Sequence, residues 1–160
     1  MTTPQYSNLV NKWSKMELVI KRFSELTRDE LYEILQLRVA VFIVEQQCPY
    51  QEIDDKDKRA YHIYLKQDNQ IKAYLRVVDA GVSFEEVSIG RVLTAERGKG
   101  FGTIIMREGI KVAKELLKAD KIKIGSQVYA QKMYEKFGFK PVSEEFLEDG
   151  IPHIQMVLDL

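Results

Sequence analysis

The chain has 160 residues, of which 45% are hydrophobic and 10% aromatic, and this composition is typical of one globular domain with a core that needs no crosslinks. It carries 24 Lys and Arg and 24 Asp and Glu, so bulk attraction to nucleic acid or to a membrane is not indicated, and we expect neither as a partner. The single cysteine, Cys48, excludes an internal disulfide, and no apolar run approaches the length of a membrane span. We therefore expect a cytoplasmic protein.

The N-terminal third predicts a strand followed by a helix. Residues 1–15 are polar and weakly patterned, so we expect a flexible extension ahead of a single domain at residues 16–160. Residues 17–23 alternate between the two faces of a strand. Thr27 and Glu30 have the spacing of a capping box, which predicts the start of a helix. The apolar face of this helix comprises Leu31, Ile34, Leu35, Arg38, Val41 and Phe42.

The middle of the chain predicts a loop followed by three strands. Pro49 and clustered acidic residues break the helical pattern over residues 45–57, which indicates a loop or a short helix. The predicted strands cover residues 61–66, 70–79 and 88–93. Asp68 and Asn69 have the composition of a hairpin turn between the first two strands.

The C-terminal third predicts a long helix, a short helix and three further strands. Phe101, Ile105, Val112 and Leu116 share one helical face. Gly138 is a predicted C-cap for the short helix. The later elements are strands at 122–128, 139–142 and 154–158, a helix at 130–137 and a loop at 148–153. The order of elements implies a mixed α/β (α+β) fold with helices on both faces of the sheet.

A glycine-rich turn, Arg97-Gly-Lys-Gly-Phe-Gly102, joins the predicted strand at 88–93 to the long helix. Glycines let the backbone approach a ligand with its N–H groups exposed, and a helix start adds partial positive charge. Arg97 and Lys99 add full charges, so this turn predicts a cradle for a phosphate or pyrophosphate. A tight turn without a ligand is the alternative. The spacing fits neither a Walker loop nor the dinucleotide fingerprint, which makes a nucleotide a weak alternative.

Charge is distributed unevenly along the chain. Residues 97–140 carry 11 Lys and Arg against 4 Asp and Glu, whereas residues 141–160 carry 5 acidic residues and no Lys or Arg. Residues 45–58 carry 5 acidic residues and 2 lysines. A basic half beside two acidic segments suits an anionic cofactor and a cationic acceptor, although solvated surface faces would have the same composition.

The pattern Arg-x-x-Gly-x-Gly at Arg97, Gly100 and Gly102, directly after a strand, resembles the pyrophosphate loop of the GNAT superfamily of acyl-CoA-dependent N-acyltransferases. Residues 37–54 and 137–154 are similar to the ElaA-like branch of that family. The resemblance covers residues 17–160 and implies a GNAT-like, mostly antiparallel sheet. It also implies direct transfer of an acetyl group from acetyl-CoA to a primary amine on a small-molecule or peptide acceptor.

The resemblance further implies a set of residues that bind acetyl-CoA or coenzyme A. This set comprises Arg91, Val92, Leu93, Arg97, Gly98, Lys99, Gly100, Phe101, Gly102, Thr103, Gln131 and Tyr134. Its strand residues would offer backbone groups to the cofactor arm and to the oxyanion, and residues 97–103 would hold the pyrophosphate. Tyr134 stands where the family places a general acid for the leaving thiolate. The alternative for Tyr134 is a core aromatic on an amphipathic helix.

Acyl transfer also needs a base, because a lysine-like amine pays roughly 4 kcal/mol to lose its proton near neutral pH. The candidate bases are His62, His153, Glu45, Glu52 and Glu86. His153 follows a proline-fixed turn, and the ordinary pKa of a histidine, about 6.5, suits proton transfer, so it is one candidate base, with a structural histidine as the alternative. Predicted acceptor contacts are Arg38, Glu45, Glu52, His62 and His153. Arg38 is expected to pair with a carboxylate such as Glu45 or Asp54.

Three further expectations follow from the same residues. No pattern of metal ligands occurs, so we predict no metal site. A homodimer is compatible with the sequence. Because no base stands out, a module that binds acyl-CoA and regulates or recruits other proteins without turnover is the alternative function.

Overall fold

Two antiparallel sheets that meet at one edge form the framework of the protein. The structure is a computed structural model that describes residues 2–5 and 15–160. Its strands are β1 (Thr2–Gln5), β2 (Met16–Arg22), β3 (Ala60–Gln67), β4 (Gln70–Val78), β5 (Ser88–Thr94), β6 (Lys121–Gln127), β7 (Lys140–Pro141), β8 (Phe146–Glu148) and β9 (Ile151–Asp159). Its α-helices are α1 (Arg28–Arg38), α2 (Phe101–Glu115) and α3 (Gln131–Glu135).

The strand order explains how a cleft arises between the sheets. The first sheet runs β1-β2-β3-β4-β5 in chain order, and in the second β9 lies between β6 and β7, with β8 also paired to β9. All these pairs are antiparallel. A parallel bridge joins Val87 to Ile122, and the Lys123 N–H donates to the Val87 carbonyl at 2.9 Å. Beyond this point β5 and β6 belong to different sheets, so the space between them is open.

Helices cover both faces of the first sheet, because successive side chains along each strand point to opposite faces and both faces carry apolar residues. Leu18 and Leu75 point into the larger core, which includes buried residues of α2. Val19 and Tyr74 point to the opposite face, where Ile34 of α1 completes a second, smaller core. This arrangement confirms the predicted mixed, mostly antiparallel fold with helices on both faces.

The first helix begins at the predicted capping box. Thr27 Oγ1 accepts from the Glu30 N–H at 3.1 Å, and Glu30 Oε1 accepts from the Thr27 N–H at 2.8 Å. Burial raises the pKa of Glu30, but hydrogen bonds from Lys21, from the Thr27 backbone and from the Tyr64 hydroxyl outweigh this effect and lower it to about 2. The side chain of Glu30 therefore ties α1 to β2 and β3.

The chain continues from α1 into a π-helical segment, Val39–Glu45, in which the helix is wound more widely. Such segments inside helices are frequent at functional sites. The predicted helical face ended at Phe42, so the helix extends three residues further than predicted. This extension carries Glu45 and Gln46 to the cleft.

A glycine allows α2 to lie close to β4. A Cβ atom on Gly109 would stand 2.9 Å from Leu75 Cδ2 and 3.0 Å from Leu75 Cδ1, so a side chain there would collide with the core. At the N-terminus of α2, Gly100 is the N-cap with φ of 79°, a left-handed conformation that favours glycine.

Several boundaries differ from those predicted. Residues 2–5 pair with β2, which was not predicted, whereas residue 1 and residues 6–14 of the predicted flexible extension lie outside the described residues. The short helix is confined to α3 and is preceded by a 3₁₀ turn at Val128–Ala130. The bounds of the predicted loop at 148–153 were wrong, since only Asp149 and Gly150 lie outside the strands, in a tight turn that joins β8 to β9.

Candidate functional site

One cleft of about 1070 Å³ lies between β5 and β6. The glycine loop (residues 97–103) and β5 form one wall, whereas α3 and the turn between β8 and β9 contribute to the other. The end of the π-helical segment and the loop after it also line the cleft. These elements come from distant parts of the chain, and the divergence of the two sheets brings them to one place.

A β-bulge in β5 faces this cleft. Tyr74 pairs with Leu93 and Arg76 pairs with Gly90, so Arg91 and Val92 both stand opposite Leu75. Arg91 adopts φ of 53°, which is uncommon for a residue other than glycine. A bulge takes backbone groups out of the regular ladder, so Arg91 and Val92 can offer N–H groups to a ligand.

The glycine loop exposes its backbone as the predicted cradle requires. Gly98 and Gly100 have φ of 74° and 79°, and a Cβ on either would meet no atom within 4 Å. No side chain caps α2, and the N–H groups of its first turn, at residues 101–103, have no acceptor within the helix. Free N–H groups at a helix start suit an anion, so this loop fits the diphosphate of an acyl carrier.

The charged residues of the glycine loop lie at the mouth of the cleft. Arg97 Nη2 stands 3.5 Å from Glu45 Oε2, and the two side chains are 88% and 59% exposed. An ion pair this exposed adds little stability, so Arg97 can exchange Glu45 for an anionic ligand at little cost. Lys99 also lines the cleft.

Tyr134 lines the cleft from α3. Its ring packs edge-on against Phe139, with ring centroids 5.8 Å apart. The phenol oxygen forms no hydrogen bond with another residue in the described part of the chain. Burial, with a smaller contribution from Tyr129, raises the pKa of Tyr134 to about 12, so the hydroxyl keeps its proton. Gln131 does not line the cleft, because it lies off the helical face formed by residues 130, 133, 134 and 137.

His153 lies across the cleft, on β9, with one ring nitrogen fixed. Its Nδ1 is 2.7 Å from the Ile151 carbonyl oxygen, which can only accept, so Nδ1 carries the proton. Nε2 of the neutral ring therefore has a free lone pair. Glu148 Oε2 stands 3.5 Å from Nε2 and would stabilise the ring once it is protonated. His153 thus has the tautomer that a base requires.

Six charged side chains form a network beside the cleft: Arg38, Arg76, Arg91, Glu52, Asp54 and Asp57. Arg38 is fully buried and pairs with two carboxylates, as predicted, but these belong to Glu52 and Asp57 and not to the suggested Glu45 or Asp54. Burial raises the pKa of Asp57, but the guanidinium groups of Arg38 and Arg76 outweigh this and hold it below its ordinary value. The charges balance, so the network can stay ionised in the interior.

His62 belongs to this network and not to the cleft. Its Nε2 is 2.8 Å from the Asp57 carbonyl oxygen, to which it must donate, and its Nδ1 accepts from the Tyr74 hydroxyl at 2.8 Å. Burial lowers the pKa of His62, so the ring is neutral with both nitrogens engaged. Of the predicted acceptor residues, Glu45 and His153 line the cleft, whereas Arg38, Glu52 and His62 do not. Glu86, a further candidate base, does not line it either.

Two other kinds of site are not found in the described ranges. Residues 2–5 and 15–160 contain no group of three or more His, Cys, Asp or Glu arranged to hold a metal ion. No helix within these ranges is long and apolar enough to span a membrane.

Comparison with known proteins gives the cleft a context. A family model described as an acetyltransferase (GNAT) domain matches residues 25–160. A UPF0039 protein of Schizosaccharomyces pombe is 40% identical over 151 residues, which cover 92% of this chain and 99% of the relative. Protein ElaA of Escherichia coli is 40% identical over 141 residues, which cover 86% of this chain and 92% of ElaA.

Comparison with solved structures indicates the same family. An acyl-CoA N-acyltransferase from Pseudomonas aeruginosa superposes with a TM-score of 0.82 at 40% identity, covering 89% of this chain and 98% of that one. Two more distant structures share only the fold: a Bacillus subtilis acetyltransferase in complex with CoA, at 23% identity, and an acyl-homoserine lactone synthase with isopentyl-CoA, at 11%. The chain belongs to the GNAT acetyltransferase family, in the group that includes ElaA.

Proposed function

We propose that this protein transfers an acetyl group from acetyl-CoA to a primary amine on a small-molecule or peptide acceptor, acting in the cytoplasm. One observation carries the proposal. Residues at the start of α2, in the bulge of β5, Tyr134 and His153 all line the same cleft. Family membership supports acyl transfer, and the choice of acetyl donor and amine acceptor is our inference.

The donor end of the cleft suits coenzyme A. The glycine loop presents backbone N–H groups and the charges of Arg97 and Lys99, which together favour a diphosphate. Structures of the same fold hold CoA or an acyl-CoA, which supports the choice of carrier.

The acceptor end of the cleft suits a cation. Glu148 and Asp149 line it beside His153, and the exposed carboxylate of Glu148 could attract a protonated amine, whereas Glu45 lies against Arg97 at the mouth of the cleft. His153 Nε2 then takes the proton that the amine must lose before it can attack. Glu148 Oε2 lies 3.5 Å from this nitrogen and can pair with the imidazolium that results.

Transfer forms a bond from the amine nitrogen to the carbonyl carbon and breaks the bond from that carbon to sulfur. The N–H groups that the β5 bulge releases are the donors that we assign to the oxyanion. The Tyr134 hydroxyl donates a hydrogen bond to the leaving thiolate. Full proton transfer from a phenol of pKa about 12 to a thiolate whose acid has a pKa of about 8.5 is uphill by about 5 kcal/mol, so the hydrogen bond carries most of the effect.

Thiol release tests the proposal directly. Acetyl-CoA is incubated with the protein and a panel of polyamines, amino acids and peptide amines, and free thiol is measured over time. We expect release that depends on the amine and falls at least about 100-fold in His153→Gln, with CoA affinity unchanged. The rate of thiol release should fall much less in Glu148→Gln, which keeps His153, than in His153→Gln. CoA binding without release for every amine would refute the enzyme and favour an acyl-CoA-binding regulatory module.

A further inference from the structure

The backbone of Arg91 needs an external restraint. A residue with a Cβ atom in the left-handed region costs roughly 1–2 kcal/mol, and Arg91 is in that region with φ of 53°. Its neighbours in β5 pair regularly with β4 on either side of the bulge. Something outside the strand must therefore favour this conformation over a regular ladder.

The side chain of Arg91 supplies that restraint through Glu52. Arg91 Nε donates to the Glu52 carboxylate, and Nη2 donates to the Glu52 backbone oxygen at 3.0 Å. Asp54 Oδ2 adds a longer contact at 3.3 Å, and the guanidinium carbon lies 5.6 Å from the ring centroid of Tyr50. Glu52 therefore accepts hydrogen bonds from the guanidinium group with both side-chain and main-chain oxygens.

Glu52 is itself held in place from the other side. Arg38 Nε lies 3.0 Å from both carboxylate oxygens of Glu52, and Arg38 Nη2 donates to the Glu52 carbonyl at 3.3 Å. Arg38 is fixed in turn by Asp57, at 2.7 Å. Since Arg38 ends α1 and is fully buried, the restraint on Arg91 is anchored in the core.

We propose that Glu52 is a positioning residue of the transfer reaction, which holds the Arg91 side chain and thereby keeps the N–H groups of the β5 bulge turned toward the cleft. The expected effect on kcat rests on the proposed function, whereas the expected effect on the β5 backbone does not. Within the described residues, the hydrogen bonds and ion pairs of Glu52 reach Arg38 and Arg91 and not the glycine loop. Loss of Glu52 should therefore slow the chemical step and leave donor binding unchanged.

Two substitutions at Arg91 separate a backbone role from direct contact with substrate. Arg91→Gly removes the side chain but accepts a positive φ without strain, whereas Arg91→Ala removes the side chain and keeps the strain. We expect Arg91→Ala to lose at least about 10-fold in kcat and Arg91→Gly to retain several-fold more activity. Equal losses in the two variants would mean that the guanidinium group itself acts on the substrate and would overturn the proposal.

Glu52→Gln tests the positioning residue itself. We expect kcat to fall between about 10-fold and 100-fold, with the Kd for CoA within about twofold of the wild type. Arg22→Ala is the matched control, because Arg22 forms an arginine–carboxylate pair with Asp79 at 2.8 Å away from the cleft. The control should lose stability but keep kcat. An unchanged kcat in a folded Glu52→Gln variant would overturn the proposal.

Backbone amide spectra keep this test independent of activity. The ¹H–¹⁵N shifts of Gly90 to Leu93 should move in Glu52→Gln and remain unchanged in Arg22→Ala. If no amine supports turnover, the proposed function fails while the spectra still report whether Glu52 holds the bulge. Unchanged shifts in Glu52→Gln would overturn the proposal whatever the activity.

Discussion

Replacing Tyr134 with Phe removes one hydroxyl from the cleft and little else. The hydroxyl has no hydrogen-bond partner among the described residues, and the ring keeps its edge-on contact with Phe139. A hydrogen bond to a charged group contributes about 1.5–3 kcal/mol. If this hydroxyl stabilises the leaving thiolate, the variant should lose between about 10-fold and 150-fold in kcat. Thermal stability and CoA affinity should not change.

The measurement combines thiol-release kinetics with calorimetric titration of CoA. Tyr32→Phe, on the exposed outer face of α1, serves as the control and should match the wild type in both. Because the pKa of Tyr134 is about 12, its ionisation should cause no decline in wild-type kcat between pH 7 and roughly pH 10. Full turnover by Tyr134→Phe would remove the hydroxyl from the mechanism, as would a loss confined to CoA affinity.

Three further predictions concern the glycine loop and the stability of the fold. Arg97→Glu should weaken CoA binding about 10-fold at low salt and less at high salt, since this side chain is exposed; an unchanged Kd by calorimetry would count against the cradle. Glu30 has a pKa of about 2 in the folded protein against an ordinary value of 4.5, so it contributes on the order of 3 kcal/mol above pH 4.5 that is lost as the pH falls toward 2. Urea unfolding should therefore show Glu30→Gln less stable than wild type at pH 7 and nearly equal at pH 2; a constant gap would contradict the assigned hydrogen bonds. Gly109→Ala should lower the free energy of unfolding by about 1 kcal/mol, because displacement of Leu75 outweighs the better helix propensity, and a gain in the same assay would refute that packing argument.

Local signals in the sequence predicted the elements that local contacts determine. Thr27 and Glu30 form the expected capping box, and Asp68 and Asn69, with φ of 52° and 60°, form the expected hairpin turn. Asp149 and Gly150 have the same turn chemistry and lie within the predicted loop, but the hairpin that they form was missed, because β8 has only three residues and shows no alternation. Turn residues therefore predict a hairpin only where the strands on either side are long enough to show alternating apolar and polar residues.

The parts of the site that depend on distant contacts could not be read from the sequence. Nothing in the composition around Arg91 indicates a positive φ, because the residue that holds it, Glu52, is 39 positions away. The sequence predicted that Arg38 pairs with a carboxylate, but several acidic residues follow it and packing alone selects Glu52 and Asp57. His62 shares its chemistry with His153, and their hydrogen-bond partners separate their roles, because both ring nitrogens of His62 are engaged within the network.

The isolated bridge between Val87 and Ile122 has a consequence for aggregation. The edge of a sheet normally invites another chain to pair with it, and proteins must cover or interrupt such edges. Here the edges of β5 and β6 that flank the cleft face each other inside the molecule. A neighbouring protein cannot reach them side-on, whereas a slender extended ligand can pass between them. The split sheet thus keeps two strand edges open to a ligand without offering either to aggregation.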